Sequence, residues 1–118
     1  MSKYISAEDN QMKYDKGAIV VYGSVYADGK PAILIKGAKD DAPIAKATVN
    51  INLESDLQER IVIIKDYSEN EGVLNTLRDT GIIQVLSLSD GMAIAHVKDD
   101  SIAHEIKAAI ASKKRSAA

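Results

Sequence analysis

Lys65-Asp66-Tyr67-Ser68-Glu69-Asn70-Glu71-Gly72 places an ammonium, three carboxylates, a phenol, a hydroxyl and an amide in eight consecutive positions. Such a set can hold a partner by charge and hydrogen bonding. It lacks a grouping for covalent chemistry. The chain has no cysteine, no G-x-S-x-G and no base beside a serine, so nucleophilic catalysis has no local basis. The phosphate cradles G-x-x-x-x-G-K-[ST] and G-x-G-x-x-G are absent. His96, Asp99, Asp100, His104 and Glu105 are the one cluster of metal-ligand types. Their spacing matches no established site, and Asp99 and Asp100 are wanted as helix caps. The expectation is therefore no metal, no cofactor and no enzyme. A site assembled from scattered carboxylates is the remaining enzymatic route.

The elements that hold this block are readable. Ile61 to Ile64 are four consecutive β-branched apolar residues, which fit a strand covered on both faces. Ser68 and Glu71 have the S-x-x-E spacing of a capping box, so a helix is expected to start at Ser68. Glu69 and Glu71 would complement its dipole. Val73, Leu74 and Leu77 form its apolar stripe, and Gly81 stands where a left-handed cap belongs. Capping accounts for Ser68 and Glu71, and turn chemistry for Asp66. Lys65, Tyr67 and Asn70 are left for function. Gly72 is also left over, because glycine in the first turns of a helix is unfavourable by up to about 1 kcal/mol. Close backbone approach by another element or a partner would explain it.

Before this unit, residues 1–16 are polar and read as a flexible or loosely docked arm, with Met12 and Tyr14 as anchors. Ala18–Tyr26 reads as a strand with Ile19, Val21 and Val25 on one face and Tyr22 and Tyr26 on the other. Gly23 suggests a bulge or bend, and Asp28-Gly29 a two-residue hairpin turn. Ala32–Lys36 is the returning strand. Ala45, Ala47, Val49, Ile51 and Leu53 alternate with polar residues, the clearest period-two pattern in the chain. Ser55–Arg60 is a polar turn. After the helix come strands at Ile82–Leu88 and Met92–Val97, joined at Asp90-Gly91, and a last helix whose apolar face is Ile102, Ile106, Ala109 and Ile110. The order is ββββ-α-ββ-α. It implies an α+β domain over residues 17–112: a mostly antiparallel sheet of about six strands, with two helices on one face. The strands at Ile61 and Ile82 flank a helix and could pair in parallel, making the sheet mixed. Residues 113–118 read as a basic mobile tail.

With 118 residues, 46% of them hydrophobic, one domain with a real core is expected. Five tyrosines are the only aromatics, so the core must be Ile, Val, Leu and Ala. The absence of cysteine fits a reducing compartment, and no segment approaches the roughly 18 apolar residues of a membrane span. The N-terminus lacks the apolar run of a signal peptide, so a cytoplasmic location is expected. Residues 1–100 carry 11 Lys/Arg against 16 Asp/Glu, whereas residues 101–118 carry four against one. The acidic body argues against sequence-independent nucleic-acid binding.

Lys65 to Gly72, followed by Val73-Leu74 and Gly81-Ile82-Ile83, resembles a K-D-Y-S-E-N-E-G-(M/V)-L…G-I signature of small bacteriophage and mobile-element proteins of uncharacterised function. Ala45 to Leu53 is similar to that family's A-x-x-T-V-N-L strand, and Pro31 to Ile35 to its apolar strand before an acidic loop. The match spans roughly residues 18–85. The resemblance implies a phage-type accessory protein that binds and modulates or inhibits a host or defence protein. Lys65, Asp66, Tyr67, Glu69, Asn70 and Gly72 are then the expected partner-binding residues. A homo-oligomer through exposed sheet edges is a further expectation. Two alternatives stand beside it: nucleic-acid binding through Lys113-Lys114-Arg115, and a small-molecule pocket between sheet and helices.

Overall fold

A computed structural model describes residues 2–49 and 60–116 of the chain. Among the described residues, seven strands and two helices form an α+β fold. The strands are β1 (Lys3–Ile5), β2 (Ile19–Val25), β3 (Pro31–Gly37), β4 (Pro43–Lys46), β5 (Ile61–Lys65), β6 (Ile83–Ser89) and β7 (Met92–Val97). The helices are α1 (Val73–Asp79), between β5 and β6, and α2 (Asp100–Ser116). A 3-10 turn, Ser68–Asn70, precedes α1. No helix among the described residues is long and apolar enough to cross a membrane.

The strands form two antiparallel sheets rather than one sheet of about six. The first runs β1-β2-β3-β4 and the second β5-β7-β6. The reason lies in the period-two segment. Its pairing with β3 as a strand ends at Lys46. Ala47 still donates its N–H to Ile33, but its carbonyl accepts from Lys65, and Val49 donates to Ile63. Thr48 faces Ile64 as an isolated bridge. One short segment thus belongs to the edge of both sheets. Ile51 and Leu53, the rest of that alternation, and the turn expected from Ser55 lie outside the described residues. The parallel neighbour also does not form. β5 and β6 run the same way, but β7 lies between them, antiparallel to each.

One cluster of buried residues draws on both sheets and both helices. It includes Ile19, Val21, Ile33 and Ile35, then Val62, Ile64, Leu77 and Ile82, and Ile102 and Ile106. α2 crosses β2 at Gly23. A Cβ there would lie 2.5 Å from the Ile102 carbonyl oxygen and 2.8 Å from Ile106 Cγ1, so glycine serves helix–sheet approach rather than a bulge. Gly81 N–H donates to Arg78 and Ile82 N–H to Leu77, the paired bonds of a Schellman cap. Asp90 and Gly91 both have positive φ, as a type I′ turn requires. The first hairpin differs from expectation: Gly29 has positive φ but Asp28 does not. Tyr26 donates to Lys30 and accepts from Gly29, which makes a three-residue loop closed by a bulge.

Residues near both termini lie in regular elements. Residues 3–5 are β1, in register with Ile19–Val21 of β2. Met12 is buried, and the segment around it is tied down by three bonds. Gln11 N–H donates to Thr76 Oγ1 at 2.8 Å, Gln11 Nε2 to Asp79 at 2.6 Å, and Lys13 N–H to the Glu71 carbonyl at 2.9 Å. The arm is therefore an integral part of the fold. At the other end α2 continues through residues 113–116.

Candidate functional site

The block from Lys65 to Gly72 leaves β5, turns over the β6–β7 hairpin tip and enters α1. Asp66 organises it. Its N–H donates to the Gly91 carbonyl at 2.8 Å. Its Oδ1 accepts from the N–H groups of Gly72 and Leu74, at 3.1 and 3.0 Å. Asp66 therefore caps α1 from outside the helix. The expected capping box does not form. Ser68 takes a left-handed φ of 53°, the turn from Ser68 to Asn70 is 3-10, and α1 begins only at Val73. Glu71 lies before the helix and pairs with Lys13 at 3.5 Å. Local backbone bonds outcompeted the box: the amide donors Ser68 would have served, those of Asn70 and Glu71, donate instead to the carbonyls of Tyr67 and Ser68.

The six expected binding residues separate accordingly. Lys65 and Tyr67 reach the surface together, with the ammonium 5.0 Å from the ring centroid. Tyr67 is 43% exposed, and its other side lies on Gly91, where a Cβ would be 3.2 Å from Cδ1. Asp66 is consumed as a cap. Asn70 is 1% exposed, and its Nδ2 donates to the Lys46 carbonyl at 2.7 Å. That bond fastens the junction to β4, and Asn70 is not available to a partner. Its Oδ1 is buried and has no hydrogen-bond partner among the described residues. Gly72, at φ 96°, is covered by the N-terminal segment: a Cβ would overlap the Gln11 carbonyl oxygen and lie 2.8 Å from Met12 Cα. The close backbone approach is real, and its source is this chain. Glu69 lies in the 3-10 turn, and its side chain is outside the described part of the structure.

The other candidates are placed in structural roles. Tyr22 and Tyr26 are half-buried, with Lys36 and Lys46 over their rings at 5.3 and 5.2 Å. The Tyr26 hydroxyl is 2.7 Å from Thr48 Oγ1. Burial pushes its pKa up, the Thr48 bond opposes that, and Asp28 adds to it. In the metal-type cluster, Asp99 Oδ1 accepts from Ile102 N–H at 3.0 Å and Oδ2 pairs with Lys3 at 3.3 Å. Asp100 pairs with Arg60 at 2.6 Å, and Glu105 accepts from Gly23 N–H at 3.2 Å. His96 stands on β7 and His104 on the exposed side of α2. Among the described residues no three such side chains converge. An open depression of about 620 Å³ lies between the N-terminal segment and the junction, bordered by Asn10, Lys13, Lys16, Asp66, Glu71 and Asn75. Lys113 is exposed, and the side chains of Lys114 and Arg115 lie outside the described part.

One surface escaped the sequence reading. β6 exposes Leu86 at 53% and Leu88 at 66%. The signal was present in Val85-Leu86-Ser87-Leu88-Ser89, an apolar run without charge. It reads as an ordinary strand until its place at a sheet edge is known. In comparison with known proteins, the chain matches no family model, no curated protein and no solved structure.

Proposed function

We infer that the chain is a non-catalytic binding protein of the phage-accessory type, acting in the cytoplasm on a host or defence protein. The observation that carries this reading is Tyr67, an exposed aromatic on an over-built support. Asp66 fixes the backbone beneath it, Gly91 seats its ring, and Lys65 covers its face. Interface energy concentrates in aromatic anchors of this kind, and an anchor held rigid before binding loses less entropy on docking. The support also carries two local penalties within three residues: Ser68 in left-handed backbone, and a buried Asn70 Oδ1 with no hydrogen-bond partner among the described residues. Strain and unsatisfied groups of this sort gather where a fold serves something other than stability. The partner-binding set narrows to Lys65 and Tyr67, with Asp66, Asn70 and Gly72 as their foundation.

The test is capture from host lysate with the wild-type chain and with a Lys65→Ala/Tyr67→Ala variant. Both positions are at the surface, so the variant keeps its fold, which circular dichroism checks. A protein retained by the wild type and lost by the variant supports the reading. Equal retention, or no specific protein retained, removes it.

A further inference from the structure

We propose that β6 pairs antiparallel with β6 of a second copy, joining two three-stranded sheets into one of six strands. This surface is separate from Lys65 and Tyr67 and does not depend on their role.

Every sheet edge exposes unpaired N–H and C=O groups, and stable monomers blunt such edges. Among the described residues, three of the four sheet edges are blunted. β1 is three residues long and carries Lys3. β4 opens on Pro43 and closes on Lys46. The outer side of β5 is occupied by Ala47 and Val49. β6 is different. It runs seven residues, Ile83–Ser89, with no charge and no proline, and among the described residues β7 is its only neighbour. Its one protective device is a bulge at Leu86, between Val85 and Ser87. Beyond the bulge, Ser87, Leu88 and Ser89 return to regular register with Ile94, Ala93 and Met92. Gln84 and residues 86–91 are all exposed.

Charge selects a second copy as the occupant. Antiparallel pairing about a twofold axis sets each residue against its own sequence, so a charged strand would meet like charge. β6 has none to repel. With the axis at Ser87, Leu86 of each copy stands opposite Leu88 of the other, and the two exposed leucines cover one another twice. The nearest acid, Asp90, lies three residues from the axis. The two Asp90 side chains are then about 20 Å apart at the rise of an antiparallel strand, well beyond the Debye length at physiological salt. A seam of one strand is small for a protein interface, so the dimer forms and dissociates with concentration.

Sedimentation from micromolar to near-millimolar concentration tests this directly. The wild type shifts from monomer to dimer, and Leu88→Lys stays monomeric with an unchanged melting temperature, since Leu88 is exposed. The chain has no cysteine, so Ser87→Cys supplies a single thiol. Residues opposed at the axis lie within disulfide reach, and oxidation converts Ser87→Cys to a covalent dimer faster than Lys39→Cys. Adding Leu88→Lys removes that advantage. A wild type that stays monomeric, a Leu88→Lys variant that dimerises equally, or equal cross-linking at Ser87→Cys and Lys39→Cys each overturns the proposal. So does an unrelated extended segment found on β6 of a monomeric chain.

Discussion

Asp66 and Ser68 divide the work at the head of α1 in an unexpected way. Asp66 Oδ1 holds two amide groups at once, whereas no Ser68 side-chain bond to the helix forms. Asp66→Ala leaves the Gly72 and Leu74 N–H groups without their acceptor in a part-buried junction. Losses of this kind run to about 1–2 kcal/mol. Ser68→Ala removes no cap and keeps the same strained φ, so its effect stays within about 0.5 kcal/mol, as for an ordinary surface substitution. Urea denaturation of the two variants measures the difference. A Ser68→Ala loss as large as that of Asp66→Ala would restore the capping box. At this scale the sequence was legible in part. It announced that Gly72 needed space, since glycine there has no reason inside a helix. It could not say that Gln11 and Met12 fill that space, because sixty intervening residues carry no local mark of the contact. It also gave the cap to Ser68 and turn chemistry to Asp66, whereas Asp66 is the cap, its backbone held by Gly91 of another hairpin.

α2 is fixed at its start by a carboxylate with two partners from different parts of the chain. Burial works against the charge on Asp99, but the Ile102 N–H and Lys3 outweigh it and hold the carboxyl below its ordinary value of 3.8. A depressed folded-state pKa means that folding favours the ionised form. The contribution is complete above the ordinary value and is lost as pH falls through the folded one. Asp99→Asn retains an oxygen to cap the helix and removes the charge facing Lys3. The variant is therefore less stable than the wild type at neutral pH, and the gap narrows as pH falls below about 4. Urea midpoints across that range report it, and a gap independent of pH would assign Asp99 to geometry alone. Elements set by near neighbours were readable: the Schellman cap at Gly81, the turn at Asp90-Gly91, and the apolar face of α2. Gly29 was read correctly as a turn but not as a three-residue loop, because loop length depends on how β2 and β3 register.

The two sheets are joined by Ala47–Val49, and Thr48 is the centre of that joint. Its Oγ1 accepts from the Ile33 N–H in the first sheet and lies 2.7 Å from the Tyr26 hydroxyl, while its backbone faces Ile64 in the second sheet. No pattern in the sequence marks this crossing, since the alternation from Ala45 onward is what a single long strand would show. A shared core and a shared segment imply that the sheets unfold together. The chain supplies its own reporters: four of the five tyrosines lie in residues 1–26, with the first sheet, and the helices dominate far-UV circular dichroism. Tyrosine fluorescence and circular dichroism should give one coincident urea transition, the signature of a two-state domain. Thr48→Val keeps the side-chain volume but leaves the Tyr26 hydroxyl and the Ile33 N–H without this partner, a loss of about 1–3 kcal/mol. Both probes should shift by the same amount, because weakening the joint weakens one cooperative unit. Separate midpoints for the two probes would mean that the chain does not unfold as one unit and that Thr48 does not hold the two sheets together.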